Sequence, residues 1–154
     1  MAVKVPACGS VIQIDFGDGG GFTVMGLADS ITMPPRNKGV NESPDLECTV
    51  SASVGTEEVS QSDFQQYWDL QDTDHAKVDL NFEESKTDLA KRDVTVQHVT
   101  PTYTTDAPSS TPSTVTEEYP AQVIGYTPEA LTPQGYYKRT VRLLRTGPIT
   151  RTTA

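Results

Sequence analysis

The chain has 154 residues and a net charge of −9, which is enough length for one domain with a single hydrophobic core. Apolar residues make up 35% of the sequence, Thr (21) and Val (15) favour strands over helices, and no apolar run approaches the ~20 residues of a membrane-spanning helix. Helical bundles, coiled coils and helical membrane proteins are therefore excluded, and the acidic balance disfavours a protein that grips nucleic-acid phosphates with Lys and Arg.

The N-terminal third is predicted to begin with a hairpin. Residues 10–16 alternate in hydropathy and predict a strand, residues 18–21 predict its glycine-rich turn, and residues 22–27 predict the returning arm. Residues 33–45 hold three prolines and predict a long loop, which in a compact domain is usually functional or mobile.

The middle of the chain is predicted to supply a strand and then the only substantial helix. Residues 46–54 alternate cleanly, as expected for a strand with one face in a core and the other face wet or at an interface. Residues 57–72 are predicted to form the helix, because Ser62 and Gln65 fit a capping box and three aromatic side chains recur at helical spacing. Those aromatic residues are Phe64, Tyr67 and Trp68.

The remainder of the chain is predicted to consist of strands and polar loops. Residues 76–83 alternate in hydropathy and predict a strand. Residues 104–118 are rich in Ser, Thr and Pro and predict a mobile loop, and residues 147–154 predict an extended tail. Three more strands are predicted, over residues 93–103, 119–126 and 136–146. About seven strands and one flanking helix favour a single mainly β domain over residues 1–154, a β-sandwich or barrel.

Charge is distributed unevenly along the chain. Residues 1–118 carry 7 basic and 20 acidic side chains, a balance of −13, whereas residues 119–154 carry 5 basic and 1 acidic, a balance of +4. Complementary patches steer association, so an acidic body and a basic end predict that copies of the chain meet head to tail. The competing interpretation is ordinary variation of charge along a chain.

The chain has two cysteines, Cys8 and Cys48. Its first residues show neither the apolar stretch nor the cleavage pattern of a signal peptide, so a cytosolic compartment with reduced thiols is expected. Cys48 alternates with apolar residues and is interpreted as a small buried side chain. A disulfide between the two cysteines stays open as an alternative.

No pattern in the sequence predicts a catalytic, metal or cofactor site. His75 and His98 lack partners at metal-ligand spacing; the first is interpreted as part of a polar turn and the second as a surface or satisfied sheet residue. Residues 17–22 superficially resemble a phosphate-binding loop, but Phe22 stands where the dinucleotide fingerprint needs Gly. We therefore expect a protein that is not an enzyme and that binds no cofactor or metal.

Aromatic and basic residues concentrate at positions 136–145, and strand alternation divides them between two faces. One face is predicted to hold Tyr137, Arg139, Val141, Leu143 and Arg145. The other face is predicted to hold Tyr136, Lys138, Thr140, Arg142 and Leu144. A nucleic-acid platform needs its basic and aromatic groups on one surface, so salt bridges between subunits are the preferred interpretation.

The order of the predicted elements is itself informative. An N-terminal hairpin leads into Met25-Gly26-Leu27-Ala28-Asp29-Ser30-Ile31-Thr32-Met33-Pro34, followed by a long loop and the strand Leu46-Glu47-Cys48-Thr49-Val50. One helix and two strands come next, and the chain closes with residues 119–126 and residues 137–150. This order resembles, over most of the chain and as a pattern, the tail tube proteins of long-tailed bacteriophages.

The resemblance implies a β-sandwich with a flanking helix, assembled into hexameric rings that stack into a tube through which genome DNA passes during ejection. It implies a location in the virion tail after assembly in the host cytoplasm. The implied partners are other copies of the chain, the tape-measure, terminator and tail-tip proteins, and passing DNA without specific binding. No membrane partner is implied.

If the resemblance holds, acidic groups on the channel wall would repel DNA phosphates, so DNA could slide without sticking. The strand faces predicted to be polar supply the lumen-facing candidates, with one basic exception: Glu47, Lys77, Asp79, Asn81 and Glu83. The competing interpretation is that these are ordinary solvated residues.

Contacts between rings or subunits are expected at the loop 33–45, at the tail 147–154 and at the basic strand 136–146. Proline-rich arms have little entropy to lose on binding, which favours the first two segments. The candidate residues are Pro34, Pro35, Arg36, Asn37, Arg139, Arg142, Arg145 and Arg151.

Two other functions fit the same composition. Another small virion component, such as a capsid decoration protein or a tail terminator, would also be β-rich, acidic and free of catalytic residues. A sugar-binding β-sandwich would expose aromatic side chains in a groove, whereas Tyr67 and Trp68 are predicted to lie in the core. Polymerisation into tubes separates the tail tube function from these alternatives.

Overall fold

A computed structural model describes residues 9–25, 27–44, 50–69, 71–88, 93–102, 113–133 and 135–153. In chain order the elements are β1 Val11–Asp15, β2 Phe22–Met25, β3 Leu27–Thr32, β4 Lys38–Pro44, β5 Val50–Glu57, β6 Gln61–Tyr67, α1 Thr73–Glu84, β7 Asp93–Thr102, β8 Ser113–Pro128, β9 Lys138–Arg145 and β10 Thr150–Thr153. The mainly β class is confirmed, with ten strands in the described ranges where about seven are predicted. Cys8, Glu47 and Cys48 lie outside the described residues.

Eight strands form one antiparallel sheet in the order β2-β1-β7-β8-β9-β6-β3, with β10 paired to β8, while β4 and β5 form a separate two-stranded sheet. The first part of β8 pairs with β7 and β10, and its second part pairs with β9. The β8–β9 register shifts between Val123 and Gly125, where the backbone of Gly125 has φ 155°. Such a bulge bends the strand, which lets one 16-residue strand serve both parts of the sheet.

The large sheet curls around a single hydrophobic core. Its buried apolar side chains are Ile12, Ile14, Met25, Phe64, Val78, Val94, Val96, Tyr119, Ala121, Val123, Val141 and Leu143. Strands far apart in the sheet order meet across this core, since Gln66 Nε2 on β6 donates to Met25 Sδ on β2 at 3.5 Å. The curled sheet therefore has two inward faces packed on each other, as in a β-sandwich.

The helix α1 begins at Thr73, directly after the residues 57–72 that are predicted to be helical. Residues 76–83 are predicted to form a strand, but α1 spans Thr73–Glu84, with Asp72 as its N-cap accepting a hydrogen bond from the Asp74 amide at 2.8 Å. The buried positions recur every three residues and are His75, Val78 and Asn81. Leu80 is 57% exposed, so the strand-like alternation does not describe what is buried. No helix in the described ranges is long and apolar enough to cross a membrane.

The prediction of a helix over residues 57–72 is also wrong, because these residues contain a strand. β6 occupies its centre, and the buried positions follow the strand period of two. These positions are Ser62, Phe64 and Gln66. The aromatic spacing that suggested a helix joins a core residue, Phe64, to Tyr67, which is 43% exposed. The prediction that Tyr67 lies in the core is therefore wrong. Pairing with β9, far along the chain, decides the strand.

Three segments predicted to be irregular contain strand residues. β4 lies in the predicted loop 33–45, β10 lies in the predicted tail 147–154, and residues 113–118 of the predicted loop 104–118 belong to β8. Their local sequence is rich in Pro, Ser and Thr, yet a partner strand supplies the hydrogen bonds: β5 for β4, and β8 for β10. The predicted strands that correspond to β1, β2, β5, β7, β8 and β9 are confirmed, with shifted ends.

Candidate assembly interface

β9 directs two arginine side chains into the interior of the subunit. Arg139 and Arg145 are 0% and 3% exposed, on the same face as the core residues Val141 and Leu143. The predicted division of this strand into two faces is therefore confirmed. Burial contradicts the prediction that Arg139 and Arg145 contact other subunits, because each guanidinium is enclosed by its own chain. Arg142, on the other face, is exposed.

Arg139 joins the sheet to the helix through three hydrogen bonds. Its Nε donates to Gln66 Oε1 at 2.9 Å, its Nη1 to Asp79 Oδ1 at 2.5 Å, and its Nη2 to the His75 carbonyl at 2.9 Å. A buried cation is costly unless it is paired and hydrogen-bonded, and here every nitrogen of the guanidinium has an acceptor. The position of α1 against β6 and β9 follows from these contacts.

Two aromatic rings enclose the same guanidinium. Its Cζ lies 4.8 Å from the ring centroid of Trp68 and 4.9 Å from that of Tyr126. The two rings are themselves in edge contact, with centroids 5.6 Å apart. Cation–π attraction is stronger where water is absent, so the rings stabilise the buried charge as well as filling space.

Arg145 makes the corresponding contacts at the other end of β9. Its Nη2 donates to the Glu58 carbonyl at 2.8 Å, its Nη1 to the Gly147 carbonyl at 3.2 Å, and its Nε to Ser60 Oγ at 3.2 Å. The Glu57 carboxylate lies 3.6 Å from Nη2. One side chain thus connects the end of β5, the start of β6 and the turn between β9 and β10.

A buried polar network lies between β6, β7 and β8. Tyr119 Oη is 2.6 Å from His98 Nε2 and 3.1 Å from Ser62 Oγ, and the His98 and Tyr119 rings are stacked. His98 Nδ1 has no hydrogen-bond partner among the described residues. Burial lowers the pKa of His98 to about 4, against the opposing charge of Glu117, and raises the pKa of Tyr119 to about 12. Of the two sequence interpretations of His98, a surface residue is wrong and a sheet residue with a hydrogen-bond partner is right, since His98 is buried in β7 and contacts Tyr119.

The β4–β5 hairpin exposes an apolar pair. Val40 lies opposite Val54 in the register, and the two side chains are 61% and 68% exposed. An isolated two-stranded sheet is marginally stable in water, because it buries too little apolar surface. The hairpin therefore presents apolar surface that another molecule can cover.

Polar contacts join the residues at the base of the hairpin. Arg36 Nε lies 2.7 Å from Glu57 Oε1, and the Glu58 amide donates to the Asn37 carbonyl at 2.8 Å. The hydrogen bond from Arg36 lowers the pKa of Glu57, and the same bond raises the pKa of Arg36. Of the contact candidates in this segment, Pro34 is buried in its own subunit, and the others are exposed: Pro35, Arg36 and Asn37.

The C-terminal segment is a strand of its own subunit. β10 pairs with β8, and Arg151 Nη2 lies 2.6 Å from Glu117 Oε1. The turn before it needs glycine, because a Cβ on Gly147 would lie 2.5 Å from Pro120 Cγ. Arg151 retains 64% exposure, so its predicted contact with another subunit stays a prediction.

The lumen candidates that the structure describes lie on the helix. They are Lys77, Asp79, Asn81 and Glu83. The prediction that they share one face of a strand is wrong, because residues two apart on a helix point in different directions. Asn81 is buried, Asp79 binds Arg139, and Lys77 lies 3.2 Å from Asp18 on the glycine-rich turn. These contacts are within the subunit.

An exposed aromatic groove of about 590 Å³, which no sequence pattern predicts, lies at the end of β6 and the start of β9. Its lining includes Tyr67, Trp68, Asp69, Asp72, Tyr136 and Tyr137. Tyr136 is 80% exposed and its ring meets that of Tyr67 edge to face, with centroids 6.0 Å apart. The Tyr136-Tyr137 pair before β9 was the sequence feature that could have indicated the groove. Its partner Tyr67 was assigned to a predicted helix over residues 57–72, so the contact was not expected.

Burial and ion pairing remove much of the exposed positive charge of residues 119–154. Of the five basic side chains in residues 119–154, Arg139 and Arg145 are enclosed and Arg151 is paired with Glu117. The basic end that predicts head-to-tail association is therefore largely neutralised within the subunit. Among the described residues, no group of three or more His, Cys, Asp or Glu is placed to hold a metal ion.

Solved structures of phage-like tails share this arrangement of strands and helix. A chain of the six-fold-symmetrised anti-feeding prophage baseplate has a TM-score of 0.71, with 10% identity, over 99% of this chain and 97% of that chain. The chain described here has a tail-tube fold. A chain of the PVC sheath/tube terminator gives 0.65 at 11% identity over 99% of both chains, and the SPP1 tail tube gives 0.59 at 10% identity over 97% and 80%.

The predicted resemblance to tail tube proteins is thus confirmed at the level of the fold. No protein-family model matches the sequence, and no curated protein matches it. The structural likeness is therefore carried by the element order and the packing of the tail-tube fold, with sequence identities of 10% to 11%.

Replacing Asp79 with Ala should destabilise the fold, because it leaves the Arg139 guanidinium buried without its carboxylate. Removing one partner of a buried pair costs about 3–5 kcal/mol, and Asp79 is 34% exposed, so we expect about 3 kcal/mol by urea unfolding. Glu83→Ala on the same helix is the matched control, since its exposed pair with Lys86 is worth about 0–1 kcal/mol. Equal losses in the two variants would contradict the role assigned to Arg139.

Stability should also fall with acidification because of His98. The unfolded chain takes up this proton near pH 6.5, whereas the folded chain resists it until about pH 4. Over that range the folded state should lose about 3 kcal/mol from this group. Unfolding of wild type and His98→Gln at pH 7 and pH 4 measures the effect, since other titrations cancel in the difference. Parallel changes in the two proteins would mean that His98 is not held neutral.

Proposed function

We propose that the chain is a structural protein of a phage-like tail and that it builds the tube, with copies forming rings and rings stacking. The observation that carries the proposal is the tail-tube fold, which extends over 97% of this chain in the likeness to the SPP1 tail tube. The proteins with this fold belong to structural assemblies, which supports a function that is not enzymatic. The six-fold symmetry of the anti-feeding prophage baseplate supports a ring of six copies.

The projecting hairpin supports assembly on physical grounds. β5 has eight residues, so the hairpin is about 26 Å long at the rise of a β-strand, which is long enough to reach beyond its own subunit. Its exposed valines gain free energy when another copy covers them. The base, joined by contacts of Arg36, Glu57 and Arg145, orients this arm before assembly, so little entropy is lost when it binds.

In this function the tube is a conduit for genome DNA, which would pass without specific binding. A net charge of −9 supports that role, because an acidic wall repels phosphate and lets the duplex slide. The tape-measure, terminator and tail-tip proteins would be its partners in the virion tail, with assembly in the host cytoplasm. These partners and this location follow from the proposed tube function, so the experiment that tests tube formation tests them as well.

A tail terminator is the second candidate, because the chain of the PVC sheath/tube terminator covers 99% of this fold. A terminator forms a ring that ends the tube, whereas a tube protein adds further rings of itself. Repeated stacking of the purified chain is therefore the observation that separates the two functions.

Negative-stain electron microscopy of the concentrated protein should show stacked rings or tubes with a central hole. Val40→Ser combined with Val54→Ser should reduce stacking roughly tenfold or more, because two apolar contacts of about 1.5 kcal/mol each are lost. Leu80→Ser is the matched control, since Leu80 is 57% exposed on α1 and belongs neither to the hairpin nor to the loop before β9. Single rings without stacking would favour the terminator, and a chain that stays monomeric at every concentration would contradict self-assembly.

A further inference from the structure

The hairpin and the aromatic groove lie at opposite ends of β6. β5 ends at Glu57, just before β6 begins at Gln61, so the hairpin base lies at the start of β6. The groove begins at Tyr67, the last residue of β6. Seven residues of extended strand separate the two by about 20 Å. The base contacts of Arg36 and Arg145 hold the hairpin at its own end of the sheet.

The groove combines an aromatic floor with acidic groups on its helix side. Tyr136 and Tyr137 are 80% and 48% exposed, which leaves a large apolar area in contact with water. Asp69 and Asp72 border this area; each carboxylate accepts one backbone amide hydrogen bond, from Gln71 and Asp74, and neither forms an ion pair among the described residues. The ammonium of Lys138 lies 5.5 Å from the centroid of the Tyr67 ring, which is part of the groove lining. The open rim therefore suits an apolar segment that carries a cation toward the two aspartates.

The hairpin presents that combination. Val40 and Val54 form an exposed apolar pair, and Lys38 is exposed on the same strand, two residues before Val40. Apolar surface beside a cation on the hairpin matches apolar surface beside carboxylates in the groove. Complementary charges of this kind select orientation and partner more than they add affinity, while the buried aromatic side chains supply the affinity.

We propose that the aromatic groove of one copy receives the β4–β5 hairpin of another copy, with Val40 and Val54 against Tyr136 and Tyr137 and Lys38 facing Asp69. The inference rests on the proposed self-assembly and names the surfaces that make it. Because the two surfaces are different and lie at opposite ends of β6, the contact is heterologous. A heterologous contact that does not close continues from copy to copy, as a stacked tube requires.

Charge exchange tests the pairing directly. Lys38→Glu and Asp69→Lys should each raise the protein concentration needed for assembly at least roughly tenfold, because each places like charges face to face. The double variant should restore assembly toward the wild-type concentration. Lys86→Glu is the matched control, because Lys86 is an exposed cation in the turn after α1 and belongs to neither surface. Thermal unfolding of each variant verifies that the fold is retained.

A photoreactive benzophenone amino acid in place of Val40 identifies the contact itself. Mixing isotopically labelled and unlabelled copies distinguishes cross-links between copies from those within one copy. Mixed-isotope cross-links to the peptide that contains Tyr136 and Tyr137 support the inference. If tubes form but the cross-links fall on other segments, or the double charge variant is no better than the single variants, the groove is not the partner and self-assembly still stands. If wild type never assembles, the proposed function fails as well.

Discussion

A guanidinium inside a protein must be paired and hydrogen-bonded, and β9 places one at each end of its buried face. Arg139 needs acceptors from β6 and from α1, so the helix must lie across that end of the sandwich. Arg145 needs carbonyls from the end of β5 and from the turn after β9. The positions of the helix, the hairpin base and the C-terminal turn all depend on satisfying these two buried charges.

The same constraint decides which surfaces remain for assembly. Because Arg139 and Arg145 point inward, only Arg142 and Lys138 carry the positive charge of β9 outside the core, so the proposed self-association gains little from this strand as a basic surface. The exposed apolar side chains include the valine pair on the hairpin and the tyrosines of the groove. Apolar association suits a tube of subunits that share one sign of charge, since burial of nonpolar area is insensitive to net charge.

Strands with one solvent-exposed face, such as β1, β7 and β9, were predictable from the sequence. Their apolar and polar residues alternate within a short stretch of the chain, so no distant segment is needed to recognise them. The exchange of strand and helix between residues 57 and 84 was not predictable by the same means. Residues 76–83 alternate in hydropathy but bury only one face of a helix, and Phe64, Tyr67 and Trp68 have helical spacing on a strand and its end. β6 pairs with β9, and α1 binds the Arg139 side chain. Each of these partners lies more than 50 residues away in the chain, and the contact with it overrides the local pattern.

The sequence by itself determined the mainly β class, the glycine turn after β1 and the two faces of β9, because each depends on local alternation or turn residues. The expected resemblance to tail tube proteins depended on a predicted element order that exchanges strand and helix between residues 57 and 84. Only the tertiary structure decided that two arginines are interior, that His98 lies in the core, and that Tyr67 joins Tyr136 and Tyr137 in a groove. Each of these facts depends on strand register between distant segments. Register is set by the packing of the whole sheet, which no short stretch of sequence encodes.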